Sequence, residues 1–124
     1  MGQPGNTGIR RILRATVYSA QGLAYAWRNE AAFRQEVALT VVLAPTAFWL
    51  GHTPVETAML IGVCIVMLIV ELLNTAVEVT IDRHGGEQHE LSGAAKDLGS
   101  AAVFISIVLV TLVWAAVACE RFWG

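Results

Sequence analysis

The chain alternates between one short amphipathic stretch and three long apolar ones. From Thr7 to Trp27 apolar residues recur at Ile9, Ile12, Leu13, Val17, Leu23, Ala24 and Trp27, while Arg10, Arg11, Arg14, Ser19 and Gln21 take other faces. That spacing predicts a helix over about 7–28, and a basic face opposite an apolar one predicts that it lies in the plane of a membrane interface. Packing on a soluble core is the competing reading. Asn29 is a candidate N-cap for a second helix with Glu30 in its first turn. This helix, about 30–50, opens polar (EAAFRQE), turns apolar (VALTVVLAPTAFWL) and contains Pro45, which predicts a kink. GHTP then reads as a turn, a third helix covers about 55–83, HGGEQHE reads as a glycine-containing loop, and a fourth covers about 92–120.

Composition sharpens this pattern. Hydrophobic residues make up 56% of the 124 residues, and the mean hydropathy is +0.59, more than one small globule can hide from water. The expectation is an all-α integral membrane protein of one domain, 1–124, with three transmembrane helices behind an N-terminal amphipathic interfacial helix. A net charge of −2 gives nucleic-acid binding no support. Arg10, Arg11, Arg14, Arg28, Arg34, Arg83 and Lys96 fall on one predicted side and only Arg121 on the other. The positive-inside rule makes the crowded side, with the N-terminus, cytoplasmic. Cys64 and Cys119 read as small apolar side chains at different depths, and no signal-peptide pattern is visible.

One segment breaks the apolar pattern. MLIVELLNTAVEVTID, Met67 to Asp82, ends an apolar run and carries Glu71, Asn74, Glu78 and Asp82. A charged residue at the centre of a membrane helix costs roughly 2.5–3.5 kcal/mol by insertion scales. With Glu71 at zero, Asn74 falls at about −60°, Thr75 at about +40°, Glu78 at about −20° and Asp82 at about +20°, one narrow stripe. Glu71 lies about 22 Å along the helix from Glu56, near the cytoplasmic edge of the hydrocarbon, and the stripe continues into the headgroup region. Two readings follow: an assembly contact paired with cations such as Arg34, or a site where a lipid meets a cytoplasmic substrate. Carboxylates with Asn74 between them suit Mg²⁺, which takes one or two carboxylates plus phosphate oxygens. Glu87, His89, Glu90, Lys96 and Asp97 form a second polar group; Lys96 is either a phosphate partner or half of a solvated ion pair. The spacing of His84 and His89 fits no common metal motif, and no phosphate-binding glycine loop is present.

At ELLNTAVEVTIDR the sequence resembles the prokaryotic diacylglycerol kinase family, and NEAAFRQE and HELSGAAKDLGSAAV extend the resemblance over nearly the whole chain. The resemblance implies a homotrimeric kinase of the bacterial inner membrane, acting in phospholipid metabolism and moving the γ-phosphoryl group of ATP to diacylglycerol. It implies Glu71 as the catalytic base, with Glu30 and Glu78 on Mg²⁺. It places Arg11, Tyr18, Glu30, Asn74, Glu78, Asp82, Glu87, Gln88, His89, Lys96 and Asp97 around ATP, and Ser19, Trp27, Arg34, Gln35, Trp49, Glu71 and Ser100 around the lipid. Ala20 and Gln88 stand where relatives often carry aromatics, and Ala94 where an arginine is common. An undecaprenol kinase is the alternative within the same chemistry. A small proton-coupled transporter, which predicts a stripe nearer mid-membrane, and a structural membrane subunit are alternatives of other classes.

Overall fold

The computed structural model describes residues 8–83 and 90–124. Among them the chain forms α1 (Ile9–Asn29), α2 (Ala31–Leu50), α3 (Pro54–Asp82) and α4 (Glu90–Trp123). The expected boundaries hold to within three residues, and α3 touches each of the other helices. By length and composition, α3 and α4 are the two described helices long and apolar enough to cross a membrane. α2 has 20 residues and places Arg34, Gln35 and Glu36 near its start, so its apolar stretch is shorter.

The junctions follow from local chemistry. Glu30, in extended conformation, is the one residue between α1 and α2. Asn29 is therefore not the cap expected of it. It closes α1 instead, and its Nδ2 donates back to the Tyr25 carbonyl at 2.9 Å, four residues earlier in the same helix. Arg34 fastens the same corner from the α2 side, its Nη1 donating to the carbonyls of Trp27 (2.6 Å) and Arg28 (3.4 Å). At the other end, Thr53 caps α3: its Oγ1 accepts from the Glu56 N–H at 3.2 Å, while Glu56 Oε1 accepts from the His52 N–H at 2.8 Å. Pro54 follows at the first helical position, where its missing N–H costs nothing. Gly51 is needed in this turn, since a Cβ there would lie 2.5 Å from Thr57 Oγ1 and 2.9 Å from Thr57 N.

The apolar core occupies the end of the bundle that holds this turn and the middle. Ala47, Leu50, Leu60 and Val117 form one buried cluster, and Cys64, Met67 and Val110 the next. Trp114 packs against both, and its Nε1 donates to the Leu60 carbonyl at 3.1 Å. α2 runs unbroken through Pro45, and beside that gap Thr46 Oγ1 donates to the Val42 carbonyl at 3.0 Å. Thr40, Thr75, Thr80 and Thr111 return their hydroxyls to their own helices in the same way, which removes the cost of a bare hydroxyl in lipid. Both cysteines are free, Cys64 buried and Cys119 exposed.

α1 stands apart from this core. Ala26 is its single buried residue, and Ile9, Ile12, Leu13 and Val17 are exposed. Arg10, Arg11 and Arg14 on its other faces are exposed too, so the described chain covers neither side of this part of the helix.

Candidate active site

The apolar core ends at Met67, and one turn further along α3 the next buried side chain is Glu71, only 3% exposed. The same 3.6-residue periodicity that keeps Leu60, Cys64 and Met67 inside carries the carboxylate inside with them. Facing it from α2 is Glu36, also buried and within hydrogen-bonding reach of the Glu71 carboxyl. Glu36 Oε1 has no hydrogen-bond partner among the described residues. An unsatisfied buried carboxylate oxygen marks a place where a donor from outside the chain is expected. Glu36 was not among the residues singled out from sequence. It lies six positions after Glu30, off any shared helical face, so only the packing of α2 on α3 reveals it.

Around this pair the structure gathers part of the expected set. Glu78, half-buried two turns beyond Glu71, lies within electrostatic reach of Glu30, Glu71, Asp82 and Lys96. Lys96 Nζ pairs with Asp82 Oδ1 at 3.0 Å, tying the start of α4 to the end of α3 at an exposed position. The ion pair considered from sequence is present, therefore, with Asp82 as the partner. Asn74 is half-buried in the seam between α3 and α4, against Gly99. Thr75 is buried beside Glu71, on the side towards α1, where its Oγ1 donates to the Glu71 carbonyl at 3.1 Å.

Two grooves flank the acidic stripe. One, of about 540 Å³, runs between α1 and α3 and is lined by Ser19, Gly22, Ala26, Leu72, Thr75 and Val79 among others. The other, of about 380 Å³, lies between α3 and α4 beside Asn74. Both walls are mostly apolar, with Ser19 and Thr75 on the first and Asn74 on the second as polar side chains.

The remaining expected residues are dispersed. Arg11, Tyr18, Trp27, Gln35, Asp97 and Ser100 are exposed. Trp49 lies at the opposite end of α2, its ring 6.0 Å from that of Phe122 and 5.2 Å beneath the Arg121 guanidinium. Glu87, Gln88, His89 and His84 lie outside the described residues. Among the described residues no three His, Cys, Asp or Glu side chains cluster as a ready-made metal cage. Glu30 and Glu78 still fit a Mg²⁺ ion that takes its other ligands from phosphate and water.

Comparison with known proteins decides the family. The model of prokaryotic diacylglycerol kinase matches residues 17–118. The chain belongs to that family. It is 53% identical over 113 residues to the diacylglycerol kinase of Pseudomonas aeruginosa, covering 91% of this chain and 92% of that one. It is 47% identical over 111 residues to the diacylglycerol kinase of Haemophilus influenzae (90% and 94% covered), and 45% identical over 118 residues to that of Escherichia coli (95% and 93% covered). The family match spans the corner residue Glu30, the acidic stripe and the start of α4, so every carboxylate described above falls inside it.

Proposed function

We propose that this member of the prokaryotic diacylglycerol kinase family transfers the γ-phosphoryl group of ATP to the primary hydroxyl of diacylglycerol, at the cytoplasmic face of the bacterial inner membrane. The observation that carries the proposal is the buried Glu71, set where the apolar core of α3 gives way to a stripe of carboxylates. A lipid alcohol cannot leave the membrane, so the base that meets it must be held at lipid depth.

In the proposed reaction Glu71 takes the hydroxyl proton as that oxygen attacks the γ-phosphorus. The new O–P bond forms as the bond to the bridging oxygen breaks, and ADP leaves. Glu30 and Glu78 would hold the Mg²⁺ that arrives with ATP, and the ion would supply the neutralising charge that phosphoryl transfer needs. Lys96, released from Asp82, adds a cation near the phosphates. The groove beside Ser19 and Thr75 takes an acyl chain. A lipid lying along α2 would pass from Glu36 towards Trp49, roughly 20 Å away at 1.5 Å per residue.

The reading makes the enzyme a trimer with α2 as the third span. The exposure of Leu73, Phe104 and Ile105 on α3 and α4 supports it, as those apolar surfaces need lipid or a neighbouring subunit. So does the exposure of Arg11 and Tyr18, which would complete ATP contacts across a subunit boundary. Its orientation is supported by the ends of the bundle: Arg28, Arg34, Arg83 and Lys96 stand with Glu30 and Asp82, and Arg121 with Trp49.

The deciding experiment is purified protein in mixed micelles with Mg²⁺ and ATP labelled at the γ-phosphate, offered diacylglycerol or undecaprenol. Labelled phosphatidic acid is expected. Label in undecaprenyl phosphate alone would move the chain to the alternative substrate, and no labelled lipid from either would overturn the kinase reading.

A further inference from the structure

We infer that Gly99 on α4 is a positioning residue for the phosphoryl-transfer site: the absence of a side chain there reserves the space in which the amide of Asn74 is held. This rests on the proposed kinase reading, in which Asn74 belongs to the nucleotide site. Gly99 lies one turn after Lys96, half-buried where α4 crosses α3. A Cβ built on it would collide with Asn74 Oδ1, and would lie 3.3 Å from Asn74 Cγ and 3.9 Å from Asn74 Cβ. Gly22, Gly62 and Gly93 are also helical, and a Cβ on any of them would meet nothing within 4 Å. Those three positions have room for alanine, which favours a helix by about 1 kcal/mol over glycine. Gly99 alone among these four lies against a polar side chain.

The chemistry of that side chain gives the contact a purpose. Asn74 has one acceptor and two donors on its amide, and it makes no hydrogen bond among the described residues. It follows Glu71 by three positions and precedes Glu78 by four, so it shares their side of α3. Its amide is therefore free for a ligand, and its direction is set by what it rests on. That support is the bare backbone of Gly99, with the small side chains of Ala95 and Ala102 on either side of the same groove.

The collision would fall on the far end of a rotatable side chain, not on backbone. An alanine at 99 would turn the Asn74 side chain while leaving the α3–α4 packing intact. Stability and site geometry thus separate, which makes the inference testable. Displacing a positioning group by about 1 Å can cost about 10² in rate.

Gly99→Ala is expected to keep the thermal midpoint of the detergent-solubilised enzyme at or slightly above that of the native protein. It should lower kcat/KM for MgATP by about 10- to 100-fold, with KM for diacylglycerol unchanged. In an Asn74→Ala background the same substitution should have no further effect, because the atom it strikes is gone. A Gly99→Ala enzyme with native kcat/KM, or one losing the same factor in both backgrounds, would overturn the inference. A readout independent of turnover is the side-chain amide signal of ¹⁵N-labelled Asn74, which should move in Gly99→Ala and would refute the steric contact if it did not. An amide that moves in a protein phosphorylating no lipid would leave the contact standing and remove the kinase reading instead.

Discussion

Glu71→Gln separates the two jobs a buried carboxylate can have. The substitution keeps the volume and removes the basic oxygen. Glu71 is 3% exposed and lies within hydrogen-bonding reach of Glu36. The glutamine would present an N–H to Glu36. Hydrogen bonds across membrane helices average about 0.6 kcal/mol, so folding should improve modestly, by about 1 kcal/mol at most. Catalysis should move far more in the other direction. A general base contributes about 10² to 10⁴ in rate, equivalent to about 2.7–5.4 kcal/mol of barrier. The assay is initial-rate transfer of labelled phosphate at saturating diacylglycerol, with unfolding in a denaturing detergent series measured in parallel. A loss of kcat by about two to four decades, with equal or greater resistance to unfolding and unchanged ATP binding, is expected. Native turnover, or a loss that merely follows the fraction unfolded, would refute the assignment of Glu71 as base.

Glu30→Gln and Glu78→Gln should each remove most activity with the assembly intact, and raising Mg²⁺ should partly restore at least one; a variant with native turnover would have no part in holding the metal. Leu13→Asp places a charge on the exposed apolar stripe of α1 and should open that helix to added protease; unchanged protection would mean protein contacts hold it. Gly51→Ala forces a Cβ against the Thr57 side chain and backbone and should destabilise the protein by about 1–3 kcal/mol without altering KM for ATP; native unfolding resistance would show that the turn relaxes freely.

What the sequence made legible was what a single helix encodes. The stripe of Glu71, Glu78 and Asp82, the apolar stripe of α1 and the GHTP turn before α3 depend on spacing or turn residues within one short stretch, and a local pattern reveals each. What it hid were relations between elements. Glu36 meets Glu71, Lys96 chooses Asp82, and Gly99 receives Asn74 only through the register of one helix on another, which no local pattern carries. Asn29 failed as a cap for a related reason. Its amide can serve the helix behind it or the one ahead, and Tyr25 offered a carbonyl at the right distance.

The corner at Glu30 has a mechanical side. One non-helical residue joins α1 to α2, and Arg34 bolts the two arms together. Were α1 to lie on the headgroups and α2 to enter the bilayer, the height of Glu30 would be measured from the bilayer surface, while the height of Glu71 would be measured along α3. The offset between them would then be a function of how far the spans tilt. In a thinner bilayer the spans would lean over, the offset would shrink, and the two carboxylates would change their relative level with no residue altered. The membrane would in this sense be a working part of the enzyme, the gauge against which its acidic groups are aligned.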